Sequence, residues 1–289
     1  MAASHCILSR RASALSPLLI AVAAVSLACP RSALPLGGQQ PVSVSVEGEV
    51  RKPGTYTLPP GSPLSSLLYA AGGFTDNAFL SGAVLTRSAV RKAQEEELRE
   101  TADRLSKESV DTGEARDAVR PVVELLSSLS PSGRIPVRLS HPRLLKGSPA
   151  DIPLEEGDVL RIPAKTGTVS VSGAVRATPA AVPFAAKLPY KEYIRRTGGY
   201  ADGADRDRVF LQRADGTTAL LSLGLVHWNP AASRWEVTSL AGSVPAVGPG
   251  DTIVVPRPPP GDLPPAIARD LPGILMRASE IAGAPVVLR

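Results

Sequence analysis

Aromatic side chains are scarce. They make up 4% of 289 residues, with only two Trp. Histidine is limited to His5, His141 and His227, and cysteine to Cys6 and Cys29. These shortages exclude several kinds of chemistry. His141 and His227 stand too far apart in sequence to form a metal cluster at a recognisable spacing. Beyond Cys29 the chain has no thiol, so it can make no internal disulfide and no cysteine-based metal site there. A Gly-x-Ser-x-Gly elbow, a P-loop and a His-Glu-x-x-His helix are all missing. Charge of one sign is also lacking. Lys and Arg number 32 against 27 Asp and Glu, scattered without the dense basic stripe of a nucleic-acid binder. No cofactor, metal or nucleic-acid partner is expected.

What is present is 43% apolar residues, enough for real cores, with 29 Pro and 25 Gly. That balance favours short elements joined by many turns. Residues 1–28 read as a secretion signal. Arg10-Arg11 is the basic region, Leu15 to Ala28 is uncharged, and Ser26-Leu27-Ala28 puts small residues at −3 and −1 before Cys29. The apolar core is short for a membrane span, which takes ~20 residues. Cys29 stands where a lipid-modified cysteine would stand, although Ser26 occupies a position usually held by Leu. Lipidation at Cys29 and ordinary cleavage nearby both remain open.

The strongest signal is a duplication. Val44-Ser45-Val46-Glu47-Gly48-Glu49-Val50-Arg51 matches Val169-Ser170-Val171-Ser172-Gly173-Ala174-Val175-Arg176, an offset of about 125 residues. Ala71-Gly72-Gly73-Phe74 then matches Thr197-Gly198-Gly199-Tyr200, and Val84-Leu85-Thr86-Arg87 matches Phe210-Leu211-Gln212-Arg213. Gly157-Asp158 to Pro163 matches Gly250-Asp251 to Pro256, where the offset falls to about 93. The first copy therefore carries an insertion of ~33 residues.

Each block has a local reading. Val44, Val46 and Val50 alternate with polar residues as in a half-buried strand. Pro53-Gly54 turns the chain, and Thr55 to Leu58 returns it. Leu64, Leu67, Leu68 and Ala71 fall at helical spacing, and Gly72-Gly73 ends that helix. Tyr190, Tyr193 and Ile194 play the same part in the second copy. Gly48 and Gly173 mark close strand packing or a bulge. The order β-β-α-β-β is that of a β-grasp.

The expected class is α+β. A first β-grasp domain spans 41–163, with a helical hairpin inserted at 88–130, and a second spans 168–256. A Pro-rich linker, 257–265, leads to a C-terminal amphipathic helix, 266–289. Pro121 should kink the second inserted helix or start its second half. Ile267, Leu271, Ile274, Leu275, Ala278 and Ile281 line one face of the terminal helix. That face suits docking on a domain or partner, or contact with a membrane surface.

Taken together, these motifs resemble the SLBB (soluble-ligand-binding β-grasp) domain. They are the Val-x-Val-x-Gly-x-Val strand of Val44 to Val50, the Pro53-Gly54 turn, Ala71 to Phe74, and Pro249-Gly250-Asp251. Two such domains behind a secretion signal resemble the polysaccharide export proteins of the Wza type. A helical hairpin within a β-grasp domain and a C-terminal amphipathic helix resemble the capsule-biosynthesis GfcC type. The resemblance spans roughly residues 41 to 256. In the second copy Pro179 replaces the turn glycine. Between the signal and Val42 there is no room for the export-motif domain of the channel proteins, so an accessory role is expected rather than a pore.

The resemblance implies an exported, non-catalytic protein of the periplasm, associated or not with the outer membrane. It would bind a surface polysaccharide or dock the export complex, and homo-oligomers would fit that family. The alternative is a receptor for a small, cobalamin-like ligand. The candidate ligand-binding residues are Arg51, Lys52, Phe74 and Tyr200, at loop positions near the helix C-termini, and Trp228 and Trp235, flanking a turn. The two Trp rings would either stack on a sugar or cover the sheet. Glu155-Glu156 and Asp205-x-Asp207 could mimic a glycosidase carboxylate pair, but such acids face each other across a cleft, and adjacent acids read better as solvated turns.

The signal reading predicts a processed chain. N-terminal sequencing of the protein from an envelope fraction should begin near residue 29, and radiolabelled fatty acid should be incorporated only if Cys29 is lipidated. A mature chain starting at Met1 would exclude cleavage.

Overall fold

Val42–Gly48 (β1) alternates in burial as it does in hydropathy, with Val44 1% and Val46 0% exposed. This computed structural model describes residues 40–109, 113–177, 180–221, 226–229, 234–237, 245–259, 261 and 263–288. The signal region, Cys29 and Pro179 lie outside them. Gly54–Leu58 (β2) pairs back antiparallel on β1. Leu64–Ala70 (α1) then buries Leu64, Leu67 and Leu68 against that sheet. Val84–Thr86 (β3) follows, then Ser88–Glu108 (α2), Gly113–Ser128 (α3), Arg134–Pro136 (β4), Pro142–Leu145 (α4) and Val159–Ile162 (β5). The strand order is β2-β1-β5-β3-β4. Only β1 and β5 run parallel, with Gly48 opposite Ile162 at the end of their ladder.

The second half repeats this topology. Thr168–Gly173 (β6), Ala180–Pro183 (β7), Tyr190–Arg196 (α5), Phe210–Gln212 (β8), Thr218–Leu220 (β9) and Thr252–Val255 build a sheet. Val226–Asn229 (β10) and Arg234–Val237 (β11) form a separate two-stranded sheet before that last strand, β12. The five-stranded order is β7-β6-β12-β8-β9, with β6 and β12 parallel and Gly173 opposite Val255. The protein is thus α+β with two mixed five-stranded sheets of one topology.

The four-strand expectation per copy falls short by one strand. The strand β4 overlaps Ile135 to Leu139, which reads as a strand in the sequence, whereas β9 was not expected, and its three residues are too few to show a period. Val50 also leaves β1. It meets Phe74 in an isolated bridge, as Val175 meets Tyr200 in the second copy. The cause is Gly48, at φ +84°. A Cβ placed there would lie 2.1 Å from the Ile162 carbonyl oxygen. Gly173, at φ +93°, stands in the same relation to Val255, also at 2.1 Å. Only glycine takes this backbone at such close approach.

Pro265–Ala282 (α6) closes the described chain. The helices α3 and α6 run on across Pro121 and Pro272. Leu98, Ala102 and Leu105 of α2 and Val119, Val122 and Leu126 of α3 share a core with Ile267, Leu271, Leu275 and Ile281 of α6. Each large apolar side chain buried there contributes ~1.5–3 kcal/mol. The ion pair of Arg277 with Glu97 that joins α6 to α2 is exposed and contributes ~0–1 kcal/mol. Apolar packing therefore seats α6. Its other neighbours are β8 and β9. Gln212 Nε2 donates to the Ser279 carbonyl at 2.9 Å, and Thr218 N donates to Glu280 Oε1 at 3.0 Å. Phe210 and Val254 consequently stay buried although they alternate away from the α5 side. Among the described residues no helix is long and apolar enough to cross a membrane.

Replacing Gly48 by Ala should destabilise the protein by more than the ~1–3 kcal/mol of a strained backbone alone. Gly147→Ala isolates that strain, because Gly147 has φ +75° but open space around its Cβ position. Urea unfolding of both variants separates strain from clash, and equal losses would remove the close-approach argument.

Candidate functional site

The loop after β1 lies on the C-terminal end of α1. Arg51 N donates to the Gly73 carbonyl and Lys52 N to the Ala71 carbonyl, each at 3.0 Å. With the Val50–Phe74 bridge, this brings Arg51, Lys52 and Phe74 into one loop cluster. Tyr56 Oη donates to the Lys52 carbonyl at 2.6 Å and holds the loop from β2. The second copy repeats the cluster with Arg176, whose N donates to the Gly199 carbonyl at 3.1 Å, and with Tyr200. Arg206 lies over the Tyr200 ring at 5.1 Å. Burial pushes the Tyr200 hydroxyl pKa up. The candidates thus fall into separate groups: Arg51, Lys52 and Phe74 on the first unit, Tyr200 on the second. Trp228 and Trp235 are direct cross-strand partners in β10 and β11.

The Glu155-Glu156 pair points to separate partners. Glu155 accepts from Arg87 Nη1 at 2.7 Å, while Glu156 accepts from Ser43 N at 2.6 Å. Asp205 accepts from Asp207 N at 3.1 Å and pairs with Arg208.

Arg51, Lys52, Phe74, Tyr200 and the acidic pairs do not line a cleft with a volume of about 360 Å³. Residues 79–81 and 137–139 of the first unit form one wall. Residues 213–215 and 248–249, with Asp251, form the other. Sequence reasoning missed this site. Its one legible clue is that Arg213 and Asp251 occupy repeat positions already filled by Arg87 and Asp158.

Those matched positions are wired differently. Asp158 is 1% exposed. It accepts from Arg87 Nε at 3.0 Å, Arg87 Nη2 at 2.8 Å and Glu155 N at 3.0 Å. The hydrogen bond from Arg87 to Asp158 raises the Arg87 pKa. Asp251 is 4% exposed but accepts from backbone alone, from Gly248 N at 2.7 Å and Ala214 N at 3.1 Å. Burial pushes its carboxyl pKa up, and those two N–H groups pull against the shift. The Arg213 side chain makes no hydrogen bond or ion pair among the described residues and borders the cleft.

Behind this wall Arg134 joins the units. Its Nη2 donates to the Ala214 carbonyl at 2.7 Å, while its buried Nε has no partner. Burial lowers the Arg134 pKa, partly offset by Asp215. A Cβ on Gly216 would come within 3.0 Å of that Nε.

A family model described as the SLBB domain matches the chain twice, over residues 43–97 and 168–220. No curated protein matches it.

Arg87→Ala would strand a buried carboxylate and should cost ~3–5 kcal/mol of stability. Arg213→Ala, with no ion pair to break, should cost well under that. Thermal melts of the two variants check the difference, and equal losses would contradict the assignment of Arg87 as the partner of Asp158.

Proposed function

We propose, from the premise that this chain carries two SLBB domains, that it is a non-catalytic envelope protein serving the export of capsule or exopolysaccharide. In this reading it is exported to the periplasm or the face of the outer membrane, and it binds glycan or docks the export machinery. The α2–α3 hairpin is then an excursion from the first β-grasp domain, and α6 a C-terminal amphipathic helix docked upon it. The observation that carries the reading is the paired SLBB match, a domain consistent with ligand or polysaccharide binding. The exposed Arg51 and Lys52 beside Phe74, and the opposed Trp228 and Trp235, supply cationic and aromatic groups for such contacts.

Loss of the gene should reduce surface polysaccharide, and the purified chain should bind oligosaccharide but not cobalamin. Tight cobalamin binding, or turnover of polymer, would overturn the reading. Replacing one carboxylate among Asp202, Asp205 and Asp207 should leave secretion largely intact. Trp228→Ala or Trp235→Ala should weaken glycan binding with a normal melt if the rings stack on sugar. An early melt reflecting a stability loss of ~3–5 kcal/mol, with normal binding by the folded fraction, would show that they cover the sheet instead.

A further inference from the structure

We propose that the cleft between the two five-stranded units binds an acidic saccharide, with Arg138 and Arg213 gripping its carboxylate and Phe79 bordering its ring. This inference rests on the glycan-binding reading above and assigns that glycan a site and a charge.

The volume of about 360 Å³ lies within the ~300–1,000 Å³ of small-molecule pockets, which form preferentially between domains. It suits a short stretch of sugar chain, not a folded partner.

The charges decide the chemistry. Arg138 and Arg213 border the cleft together with Asp215 and Asp251. The carboxylates already have donors. Asp251 accepts from Gly248 N and Ala214 N, and Asp215 accepts from Thr217 N at 2.9 Å and Thr217 Oγ1 at 2.6 Å. The two guanidinium groups make no hydrogen bond among the described residues, and Arg213 acts on Asp251 through its charge alone. The cleft therefore offers two guanidinium groups with their donors unused, while Asp251 has both oxygens engaged and Asp215 accepts through Oδ1. A planar guanidinium fork matches a carboxylate in two parallel hydrogen bonds. A neutral sugar would use the cations poorly.

Phe79 adds the apolar wall. Its ring is half-buried and held between the units. A Cβ on Gly82 would fall 2.5 Å from it, and one on Gly250 2.8 Å. The ring is thus fixed before any ligand arrives. An apolar surface beside carboxylate-matching forks complements a uronic acid, whose pyranose ring has an apolar face and a charged edge.

Calorimetric titration of the full chain with trigalacturonic acid at low salt tests this, with maltotriose and an oligoglutamate as controls. Trigalacturonate should bind in preference to both. Arg138→Ala and Arg213→Ala should each weaken binding at least about tenfold, the scale of a lost charge-assisted bond. Arg138 is exposed, so its variant should melt as the parent does. Undiminished trigalacturonate affinity in both variants would overturn the proposal. Equal affinity for maltotriose, or for oligoglutamate with the same arginine dependence, would do so too. If the chain binds neutral saccharide alone and loses it on Trp228→Ala, the glycan-binding function stands while this site falls. If it binds no saccharide, both fall.

Discussion

Both repeated units depend on one contact, a glycine Cα held against a carbonyl oxygen of the neighbouring parallel strand. Gly48 meets Ile162 and Gly173 meets Val255 at the last rung of each parallel ladder. The following amide hydrogen-bonds that same oxygen, from Glu49 N at 2.8 Å and from Ala174 N at 2.7 Å. The next one turns back, Val50 N to the Gly48 carbonyl and Val175 N to the Gly173 carbonyl, both at 2.8 Å. This tight turn throws the chain off the sheet and onto the C-terminal end of the crossing helix. There Arg51 N and Arg176 N find the carbonyls of Gly73 and Gly199. A side chain at either glycine would disturb strand pairing and the loop-to-helix contact together.

A second constraint couples the units. The helix α6 packs on α2 and α3 along one face and hydrogen-bonds to β8 and β9 along another. Arg134 crosses from β4 to the Ala214 carbonyl, and Phe79 packs against Gly250. These links set the spacing of the cleft walls, so the cleft belongs to neither unit alone. The apolar stripe of α6 is spent on this internal core, where burial of several large side chains outweighs any surface ion pair.

The repeat was legible because each of its positions answers a local demand of the backbone. Gly48 and Gly173 need positive φ, Val44 and Val46 need one face of a strand, and Leu64, Leu67 and Leu68 need one face of a helix. The same locality hid other features. Val50 continues the alternation of Val44 and Val46, yet the turn at Gly48 removes it from the strand. The strand β9 is too short to carry a period, whereas β4 falls in the apolar stretch Ile135 to Leu139 that reads as a strand. Periodicity also shows that α6 has an apolar face without showing what covers it. The cleft was illegible because its walls come from four separated segments that share no motif. Of its residues, Arg213, Pro249 and Asp251 lay in recognised blocks, where Arg213 and Asp251 read as copies of Arg87 and Asp158.

They are copies in sequence but not in role. Each unit buries an aspartate at the turn before its last strand, and each must supply that carboxylate with donors. One donor is common to both, the amide three residues earlier: Glu155 N for Asp158 and Gly248 N for Asp251. The other differs. In the first unit the Arg87 side chain reaches Oδ1 as the chain enters α2. In the second, the chain turns after β8 instead of entering a helix, and Ala214 N takes the place at Oδ1. A backbone amide there leaves the arginine side chain without a hydrogen bond to the aspartate, which it reaches only through its charge. The first unit consumes its arginine in holding the fold, while the second leaves Arg213 at the cleft. The difference follows from what comes after β3 and β8, a helix in one case and a turn in the other.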